Sequence, residues 1–412
     1  MSQDKAYIHF PQLWTGVPHI NISGSKSQTN RYVTLRAVTD RDVDIKNSSD
    51  SDDAASMRRV IEGAGRDEVI DIGHAGTAMR FGTAYLSSRQ GVDVLLTGSS
   101  RMCERPIREL VDALRELGAS IEYAAEEGYP PLRIKGKKLS GGECSISGSV
   151  SSQYVSAIML SAPAFENGVK IKLTGRVVSV PYILMTLQVL EDFGIKGEFT
   201  ADKVVVYPSV VDVSKELVVE SDWSSASYYY SMVATTQKEL SLSSFRSKSS
   251  QGDSRIVDIY SCLGVKTIWE KDVIKLSHID GFDYPERLDI DMENTPDVAQ
   301  SVAVTMAALK IKGTLTGLST LRVKETDRIA ALEAELSKFG VACSSTRDTL
   351  SIEGFVERKK DILLNTYQDH RMAMAFVPMA LYGGFYVENP SVVSKSYTSF
   401  WEDMKNLGLE MI

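Results

Sequence analysis

The feature that most constrains the fold is a helix start that recurs along the chain at nearly constant spacing. Six segments open with a short polar turn and continue into a helix that is apolar on nearly every face. Because such a helix must be buried, the spacing predicts six copies of one mixed α/β unit. The intervals between successive starts are 50, 75, 73, 73 and 73 residues, so the first copy is truncated. The six starts are marked by Lys26, Gly76, Ser151, Ser224, Asp297 and His370.

A second series of amphipathic segments runs in step with the first. Each of its five members ends in Leu or Phe, then Gly, then an apolar residue. Glycine is typical of the left-handed position that ends a helix, so each unit is predicted to contain an amphipathic helix followed by a strand. The glycines are Gly118, Gly194, Gly264, Gly340 and Gly408.

The truncated copy lies between Met57 and Gly73, where the sequence has room for a helix and one strand only. Units of about seventy residues are larger than ordinary solenoid repeats. They are large enough to pack three to a domain, so we expect an α/β protein of two globular domains with three units each.

Composition limits the classes of function. The chain has 412 residues, 43% hydrophobic and 24% charged, as expected for a globular protein of two domains. A net charge of −8 argues against nucleic-acid and membrane partners. The four cysteines form no CxxC pair, which favours a reduced intracellular protein without structural zinc. Neither a signal peptide nor a membrane span is recognised, so we expect a cytoplasmic protein.

The segment Leu321–Ile329 concentrates charge at a predicted strand-to-helix junction. It follows a strand-like stretch, Lys312–Leu321, and leads into a predicted amphipathic helix, Ile329–Phe339. A mixed-charge run is usually a solvated helix face, on which Lys324 and Arg328 would lie side by side. Strand-to-helix junctions of α/β proteins, however, commonly bind anions. The charged residues are Arg322, Lys324, Glu325, Asp327 and Arg328.

Similar groups stand at the other helix starts. Taken singly, each is compatible with helix capping or with an exposed side chain. Arg101 and Arg105 precede a helix predicted to begin at Pro106, where the helix dipole disfavours cations and an anionic ligand is therefore indicated. Asp297 is either an ordinary cap or a general base among cations. The other candidates are Lys26, Ser27, Asn30, Arg31, Gly76, Thr77, Arg80, Ser151, Ser152, Gln153, Ser179, Tyr182, His370, Arg371 and Lys395.

Two further motifs are given structural interpretations. Cys103 has no histidine in its motif, so a packing role is favoured over a nucleophile. The acidic run "SSDSDDAASM" lacks the central Gly and the distal Glu of a calcium loop and is interpreted as a helix cap.

Eight of these motifs, taken in order, resemble those of the enolpyruvyl transferases, and within them the branch that uses shikimate 3-phosphate. The resemblance implies an inside-out α/β barrel-like fold of two domains with an active site in the cleft between them. The domains would be residues 1–20 with 222–412, and 21–221, with crossovers near 20–24 and 219–222. The motifs are "GSKSQTNR", "AGTAMR", "LTGSSRMCERPI", "SVSSQY", "VVSVPYI", "TPDVAQ", "LRVKETDR" and "DHRMAMAF".

The resemblance also implies a reaction, in which the enolpyruvyl group of phosphoenolpyruvate moves to the 5-hydroxyl of shikimate 3-phosphate by addition and elimination. Asp297 would take the hydroxyl proton. Glu325, with help from Lys26, would act as the acid for the methylene carbon. No metal or cofactor is implied, and a monomer is expected. Phosphoenolpyruvate would be bound by Lys26, Gly76, Arg105, Arg328, Arg371 and Lys395. Shikimate 3-phosphate would be bound by Ser27, Arg31, Ser151, Ser152, Gln153, Ser179, Tyr182, Asp297, Thr320 and Lys324.

The chain departs from the family pattern at four positions. His74 and Thr320 both stand where the family usually has Asn, Val180 replaces a Lys, and Ser23 replaces a Pro. His74 and Thr320 are expected to touch the substrates, so these changes would alter affinity. The charged catalytic positions are all present, and we therefore expect activity to be retained.

Two other functions are weighed against this one. A related transferase acts on UDP-N-acetylglucosamine, but it carries Lys-Asn where this chain has Lys26-Ser27. Its cysteine also lies several residues before the active-site arginine, whereas Cys103 is only two residues before Arg105. The second alternative is a non-catalytic anion-binding relative, and the intact catalytic residues argue against it.

Overall fold

The computed structural model describes residues 5–148, 152–178, 180–210 and 216–412. The predicted substrate contacts Ser151 and Ser179 lie outside these ranges. The chain divides into two compact units. Met1–Ser23 and Glu220–Ile412 form one, called here the discontinuous unit, and Gly24–Val219 forms the other, called the continuous unit.

Helices and strands alternate along the described part of the chain, in which no helix is long and apolar enough to cross a membrane. The α-helices are α1 Lys26–Thr39, α2 Asp52–Gly63, α3 Gly76–Ser88, α4 Ser100–Cys103, α5 Arg108–Glu116, α6 Ser152–Ser161, α7 Val180–Asp192, α8 Trp223–Thr236, α9 Ile256–Ser261, α10 Ala299–Ala308, α11 Arg328–Lys338, α12 His370–Ala375 and α13 Phe400–Asn406. Short 3₁₀ helices span Ala162–Ala164, Gly252–Arg255, Pro296–Val298, Ser319–Val323, Val377–Tyr382 and Pro390–Lys395.

The strands are short, and most of them alternate buried and exposed side chains. They are β1 Lys5–His9, β2 His19–Ile20, β3 Asp44–Lys46, β4 Val69–Asp71, β5 Asp93–Thr97, β6 Ser120–Tyr123, β7 Leu132–Lys135, β8 Gly142–Ser147, β9 Val169–Thr174, β10 Ile195–Thr200, β11 Lys203–Val210, β12 Glu216–Val218, β13 Leu240–Ser243, β14 Val265–Glu270, β15 Val273–His278, β16 Ile290–Asp291, β17 Gly313–Thr316, β18 Val341–Ser345, β19 Leu350–Phe355, β20 Leu363–Leu364, β21 Phe385–Glu388 and β22 Glu410–Met411.

Five four-stranded sheets share one topology. In each, two strands run parallel, and an antiparallel pair adds to the second of them. In three of these sheets the chain order is strand, buried helix, strand, amphipathic helix, antiparallel pair. The sheet of β13 takes its first strand, β2, from before the continuous unit, and the sheet of β20 takes one strand of its pair, β1, from near the start of the chain. The sheet orders are β4-β5-β7-β6, β10-β11-β9-β8, β14-β15-β13-β2, β16-β17-β19-β18 and β20-β21-β1-β22.

The sixth sheet contains only β12 and β3, which run parallel. This copy has its two helices, α1 and α2, and then passes directly into β4 of the next copy. The predicted truncation of the first copy is therefore confirmed, and what it lacks in the described residues is the antiparallel pair.

The predicted burial of one helix on nearly every face is confirmed for α3, α6, α8, α10 and α12, whereas α1 of the truncated copy keeps Arg36 exposed. Every residue of α10 is buried, as is nearly every residue of α3 and α8. Small polar residues in these helices satisfy one another, as in the hydrogen bonds Ser301–Ser227 at 2.8 Å and Ser231–Thr305 at 2.6 Å between α8 and α10. The starts of these buried helices carry the polar groups that the motifs contain.

The predicted helix-ending glycines are also confirmed. Each lies just beyond an amphipathic helix and adopts a positive φ before a strand begins. The φ values are 96° at Gly118, 67° at Gly194, 83° at Gly264, 79° at Gly340 and 95° at Gly408.

Two predictions for the segment around Leu321–Ile329 are wrong, one about the extent of a strand and one about a shared helix face. The strand-like stretch Lys312–Leu321 is a strand only over Gly313–Thr316, because Gly317 at φ 73° ends β17 before the 3₁₀ helix Ser319–Val323. Lys324 therefore lies in an extended segment and shares no helix face with Arg328, the first residue of α11.

The predicted start of α5 at Pro106 is wrong by two residues. The helix begins at Arg108, and Pro106 belongs to the preceding turn.

Candidate functional site

In the discontinuous unit, six predicted residues from five segments come together. Asp297 lies in the 3₁₀ turn before α10, and Lys324 and Glu325 lie in the loop before α11. The buried starts of α11 and α12 and the end of the 3₁₀ helix Pro390–Lys395 bring the cations close to these carboxylates. The six residues are Asp297, Lys324, Glu325, Arg328, Arg371 and Lys395.

Arg328 is the centre of this cluster. Its Nη1 lies 3.1 Å from Asp297 Oδ1, its Nη2 2.9 Å from Glu325 Oε2, and its Nε 2.7 Å from Asp369 Oδ2. Burial by itself would lower the pKa of Arg328, but the neighbouring carboxylates, Asp369 first, raise it above its ordinary value. The side chain is 2% exposed, so its charge is fixed inside the protein by three carboxylates.

Three cations surround the carboxylate of Asp297. Besides Arg328, Lys324 Nζ lies 3.5 Å from Oδ1 and Arg371 Nη2 lies 3.6 Å from Oδ2. Arg371 also donates through Nη1 to the backbone oxygen of Asp297 at 2.7 Å. The arrangement holds the predicted base in one orientation beside groups able to bind an anion.

Glu325 lies between two of the cations. Lys395 Nζ is 3.0 Å from Oε1, and Arg328 Nη2 is 2.9 Å from Oε2. The carboxylate is 15% exposed, so both of its oxygens are engaged in a mostly buried setting. These contacts favour its charged form for as long as both cations stay in place.

Sequence reasoning did not select Asp369, which organises two of the arginines. It is fully buried, caps α12 and accepts the backbone N–H of Arg371 at 2.9 Å, in addition to its contact with Arg328. The signal was present, because an acidic residue at the start of a helix with no polar face has to be paired when it is buried.

In the continuous unit, Lys26 opens α1 and pairs with Asp53 near the start of α2, with Nζ 3.2 Å from Oδ2. Both side chains are mostly buried. The interpretation of the acidic run as a cap is confirmed for Ser51, which accepts the N–H of Ala54. It did not predict that Asp53 pairs with a candidate catalytic residue.

Arg31 is buried among hydroxyl and carbonyl groups. Its Nε donates to Thr186 Oγ1 at 2.8 Å, Nη2 to Ser156 Oγ at 3.0 Å, and Nη1 to the backbone oxygen of Ser27 at 2.8 Å. Burial lowers the pKa of Arg31 to about 10, and Tyr182 partly opposes that shift. A buried guanidinium held by neutral acceptors is suited to an anionic ligand.

Arg105 lies against the start of α3. A Cβ atom placed on Gly76 would be 2.7 Å from Arg105 Nη1, so a larger residue there would require the Arg105 guanidinium to move. The backbone oxygen of Pro106 accepts hydrogen bonds from Arg80 Nη2 at 3.2 Å and from the Tyr154 hydroxyl at 2.5 Å. These bonds fix the turn that carries Arg105.

The remaining predicted residues of this unit lie nearby. Gln153 Nε2 donates to Thr77 Oγ1 at 3.4 Å, and Ser152 is the first residue of α6. The Tyr182 ring lies 6.0 Å from the Arg31 guanidinium. The structure therefore brings six of the predicted residues together in the discontinuous unit, and places the described predicted residues of the continuous unit in smaller sets of contacts near the starts of α1, α3, α6 and α7.

Of the four departures from the family pattern, His74 has a side-chain partner and Thr320 has none among the described residues. His74 Nδ1 lies 2.9 Å from the Ser99 hydroxyl, which caps α4. In the described part of the chain, the buried Thr320 hydroxyl has no hydrogen-bond partner.

Cys103 is partly exposed and its Sγ lies 3.7 Å from the Gly98 oxygen. Among the described residues, no three His, Cys, Asp or Glu side chains cluster as a metal site.

The sequence matches known proteins over most of its length. Relatives described as 3-phosphoshikimate 1-carboxyvinyltransferase include one from Bacteroides fragilis, 44% identical over 394 residues that cover 94% of this chain and 95% of the relative. Another, from Haemophilus influenzae, is 35% identical and covers 95% of this chain and 96% of its own length.

Solved structures show the same fold. An EPSP synthase from Acinetobacter baumannii matches 99% of this chain and 100% of its own, with a TM-score of 0.76 and 22% identity. The enolpyruvyl transferase NikO from Streptomyces tendae matches with a TM-score of 0.71 and 16% identity, over 100% of this chain and 99% of its own.

A sequence model of one family matches residues 60–404, which hold most of the site residues described above. Together with the relatives that exceed 30% identity over nearly the whole chain, this match decides the assignment. The chain belongs to the EPSP synthase (3-phosphoshikimate 1-carboxyvinyltransferase) family.

Proposed function

We propose that the protein transfers the enolpyruvyl group of phosphoenolpyruvate to the 5-hydroxyl of shikimate 3-phosphate and releases phosphate. Family membership supports this reaction, which forms part of aromatic amino acid biosynthesis. The observation that carries it is the cluster of the discontinuous unit, in which two carboxylates, Asp297 and Glu325, are held among four cations. The reaction needs a base, an acid and several anion-binding groups, and this cluster contains all three kinds.

In the addition step, the carboxylate of Asp297 takes the proton of the 5-hydroxyl. The hydroxyl oxygen then forms a bond to C2 of phosphoenolpyruvate, and C3 receives a proton, which gives a tetrahedral intermediate. The cations around Asp297 keep it ionised before substrate binds, as a general base requires.

Glu325 supplies the proton to C3 in the same step. While Arg328 and Lys395 contact both of its oxygens, the charged form is favoured. A bound carboxylate or phosphate would draw those cations toward itself, which raises the proton affinity of Glu325, and Glu325 then takes up from solvent the proton that it donates. In the elimination step Glu325 takes a proton back from C3, the C2=C3 double bond re-forms, and the C2–O bond to the phosphate breaks. The leaving phosphate takes the proton that Asp297 accepted, which returns the base to its ionised form.

The remaining residues bind the two anionic substrates. We assign phosphoenolpyruvate to Lys26, Gly76, Arg105, Arg328, Arg371 and Lys395. We assign shikimate 3-phosphate to Ser27, Arg31, Ser151, Ser152, Gln153, Ser179, Tyr182, Asp297, Thr320 and Lys324. Charge-assisted hydrogen bonds to such groups contribute about 1.5–3 kcal/mol each. In this assignment Asp53 keeps Lys26 oriented, and Asp369 does the same for Arg328.

We further propose that the two units act as the two domains of the enzyme, and that the enzyme is a cytoplasmic monomer that uses neither metal nor cofactor. The support for these points is the resemblance described above. Light scattering coupled to size-exclusion chromatography measures the mass in solution directly, and a dimer mass would contradict the monomer.

The test is to follow phosphate release from phosphoenolpyruvate with shikimate 3-phosphate as acceptor. UDP-N-acetylglucosamine serves as the parallel acceptor, and a chelator is added to half of the samples. We expect release with shikimate 3-phosphate alone, unaffected by the chelator. Release only with the nucleotide sugar would replace this proposal with the related transferase. A folded protein that releases no phosphate with either acceptor would be a non-catalytic relative.

A further inference from the structure

Behind Arg371 lies a buried carboxyl group that the proposed reaction does not use. Asp253, in the 3₁₀ helix Gly252–Arg255, accepts a short hydrogen bond from the hydroxyl of Ser224. Ser224 in turn accepts a hydrogen bond from Arg371 Nη2 at 3.3 Å. The three side chains are each buried to nine-tenths or more. They connect the guanidinium to a carboxyl that has little contact with solvent.

Arg371 therefore lies between two carboxyl groups. Its Nη2 is 3.6 Å from Asp297 Oδ2 on one side and reaches Asp253 through Ser224 on the other. Asp222, which caps α8, adds a third carboxylate to the surroundings of Asp253. When Asp297 and Asp253 are both ionised, two negative charges act on one cation, and the attraction of Arg371 for a substrate anion is reduced.

The surroundings of Asp253 raise the pKa of its carboxyl group toward neutral pH. Burial and then the charge of Asp297 raise the pKa of Asp253 to about 7, against the opposing effects of Arg371 and of the Ser224 hydrogen bond. Asp222 raises it further. The groups that act on Asp253 come from α8, α12 and the turn before α10, in addition to its own short helix.

We propose that Asp253 is a positioning residue that acts on Arg371 through Ser224. When Asp253 carries a proton, Arg371 binds phosphoenolpyruvate tightly, and when Asp253 is ionised the hold of Arg371 on that anion is weakened. This inference rests on the proposed function, because it takes Arg371 as a phosphoenolpyruvate contact. Asp253 itself touches no substrate in this scheme, so its effect falls on binding rather than on the chemical step.

The experiment measures KM for phosphoenolpyruvate and kcat from about pH 5.5 to about pH 8.5 in the native protein and in Asp253→Asn. Asparagine has nearly the shape of the protonated carboxyl but cannot ionise. The native KM, divided by that of the variant at each pH, is expected to rise as the pH passes about 7. The rise is about tenfold if substrate binding shifts the pKa of Asp253 by one unit. The ratio of kcat values is expected to stay level.

Two further variants sharpen the test. Ser224→Ala keeps the carboxyl but removes the hydroxyl that joins it to Arg371 and stabilises its charge. The rise in KM is therefore expected to be smaller than in the native protein and to begin at a higher pH. Asp280→Asn removes an exposed carboxylate of the same unit and controls for the change in net charge. Ionisation of the phosphate of phosphoenolpyruvate affects every variant alike and cancels in the ratios.

A KM ratio that does not change with pH would overturn the inference, as would a pH-dependent change in kcat alone. If Asp253→Asn does not fold, the Ser224→Ala variant decides instead. A KM for phosphoenolpyruvate that begins to rise at the same pH in this variant as in the native protein would also overturn the inference. Calorimetric binding of phosphoenolpyruvate in the presence of shikimate 3-phosphate gives the same ratio without turnover. Absence of turnover in the native protein would therefore contradict the proposed function, while the binding ratio still decides the role of Asp253.

Discussion

At the scale of single residues, the site depends on how buried charges are shared. One guanidinium, that of Arg328, contacts three carboxylates through three different nitrogens. A planar fork of donors suits this geometry, whereas an ammonium group offers a single charged nitrogen. Asp297 and Glu325 each contact at least one further cation, and Asp369 also accepts the backbone N–H of Arg371, so the cluster acts as a network rather than as separate pairs.

The Asp297→Asn variant tests the proposed base. The amide keeps the size of the side chain but cannot accept the hydroxyl proton, so kcat is expected to fall by about 10²–10⁴-fold. Phosphate release at saturating substrate measures the change. Asp280→Asn, an exposed position in the same unit, is the matched control and should retain native turnover. A loss of less than tenfold in Asp297→Asn would show that another group accepts the proton.

The Arg328→Lys variant tests the shared guanidinium. Lysine cannot reach all three carboxylates, and a buried carboxylate left without its partner costs about 3–5 kcal/mol. We expect the free energy of unfolding in urea to fall by more than about 2 kcal/mol, accompanied by a loss of activity.

Arg322→Lys is the control for that variant, because the Arg322–Asp327 pair at 2.8 Å is partly exposed on the same segment. Partly exposed pairs contribute about 1 kcal/mol or less. Equal losses of stability in the two variants would contradict the special role of Arg328.

At the scale of elements, the copies are defined by how their helices begin and end. The buried helices start with polar groups, many of which we assign to substrate binding, and the amphipathic helices stop at glycines with positive φ. Both features follow from residue type and spacing, and both were predictable. The extent of β17 was not, because the turn at Gly317 depends on a close approach to the backbone of Glu293.

The Gly340→Ala variant tests the helix ends. A Cβ at this position would lie 2.4 Å from the Val356 oxygen, at a backbone φ of 79°. Gly281 in the same unit has a φ of 66° but no atom within 4 Å of such a Cβ, so Gly281→Ala carries backbone strain only. We expect Gly340→Ala to lower the free energy of unfolding by at least about 1 kcal/mol more than Gly281→Ala does. Urea titration of both variants measures the two free energies of unfolding. Equal losses in the two variants would show that backbone strain alone, and not the contact with the Val356 oxygen, sets the cost.

At the scale of the whole molecule, stability should depend on pH through Asp253. Its pKa is raised from an ordinary value of 3.8 to about 7 in the folded protein, chiefly by burial. Between these values the folded state binds more protons than the unfolded state, so stability falls as pH rises through this window.

The Asp253→Asn variant should lose this contribution to the pH dependence. Its free energy of unfolding, compared with that of the native protein, is expected to increase by more than about 1 kcal/mol between about pH 4 and about pH 8. Urea unfolding at a series of pH values measures the difference, and a constant offset between the two proteins would contradict it.

The sequence by itself determined the repeating architecture and most of the residues that we propose for the site. Helix burial and helix termination depend on residues close in the chain, so periodic polarity and glycine placement were enough to predict them. Spacing also indicated which helix starts carry the groups that we propose bind anions, and the ordered motifs indicated the family.

Only the tertiary structure decided which charges pair. Asp53 meets Lys26, Asp369 meets Arg328, and Asp253 reaches Arg371 through Ser224. The partners in these contacts are 27 to 147 residues apart along the chain. Local sequence shows only that a carboxylate stands near a helix start. Whether it caps that helix, pairs with a distant cation or stays protonated depends on burial and on neighbours that the packing of the copies brings together.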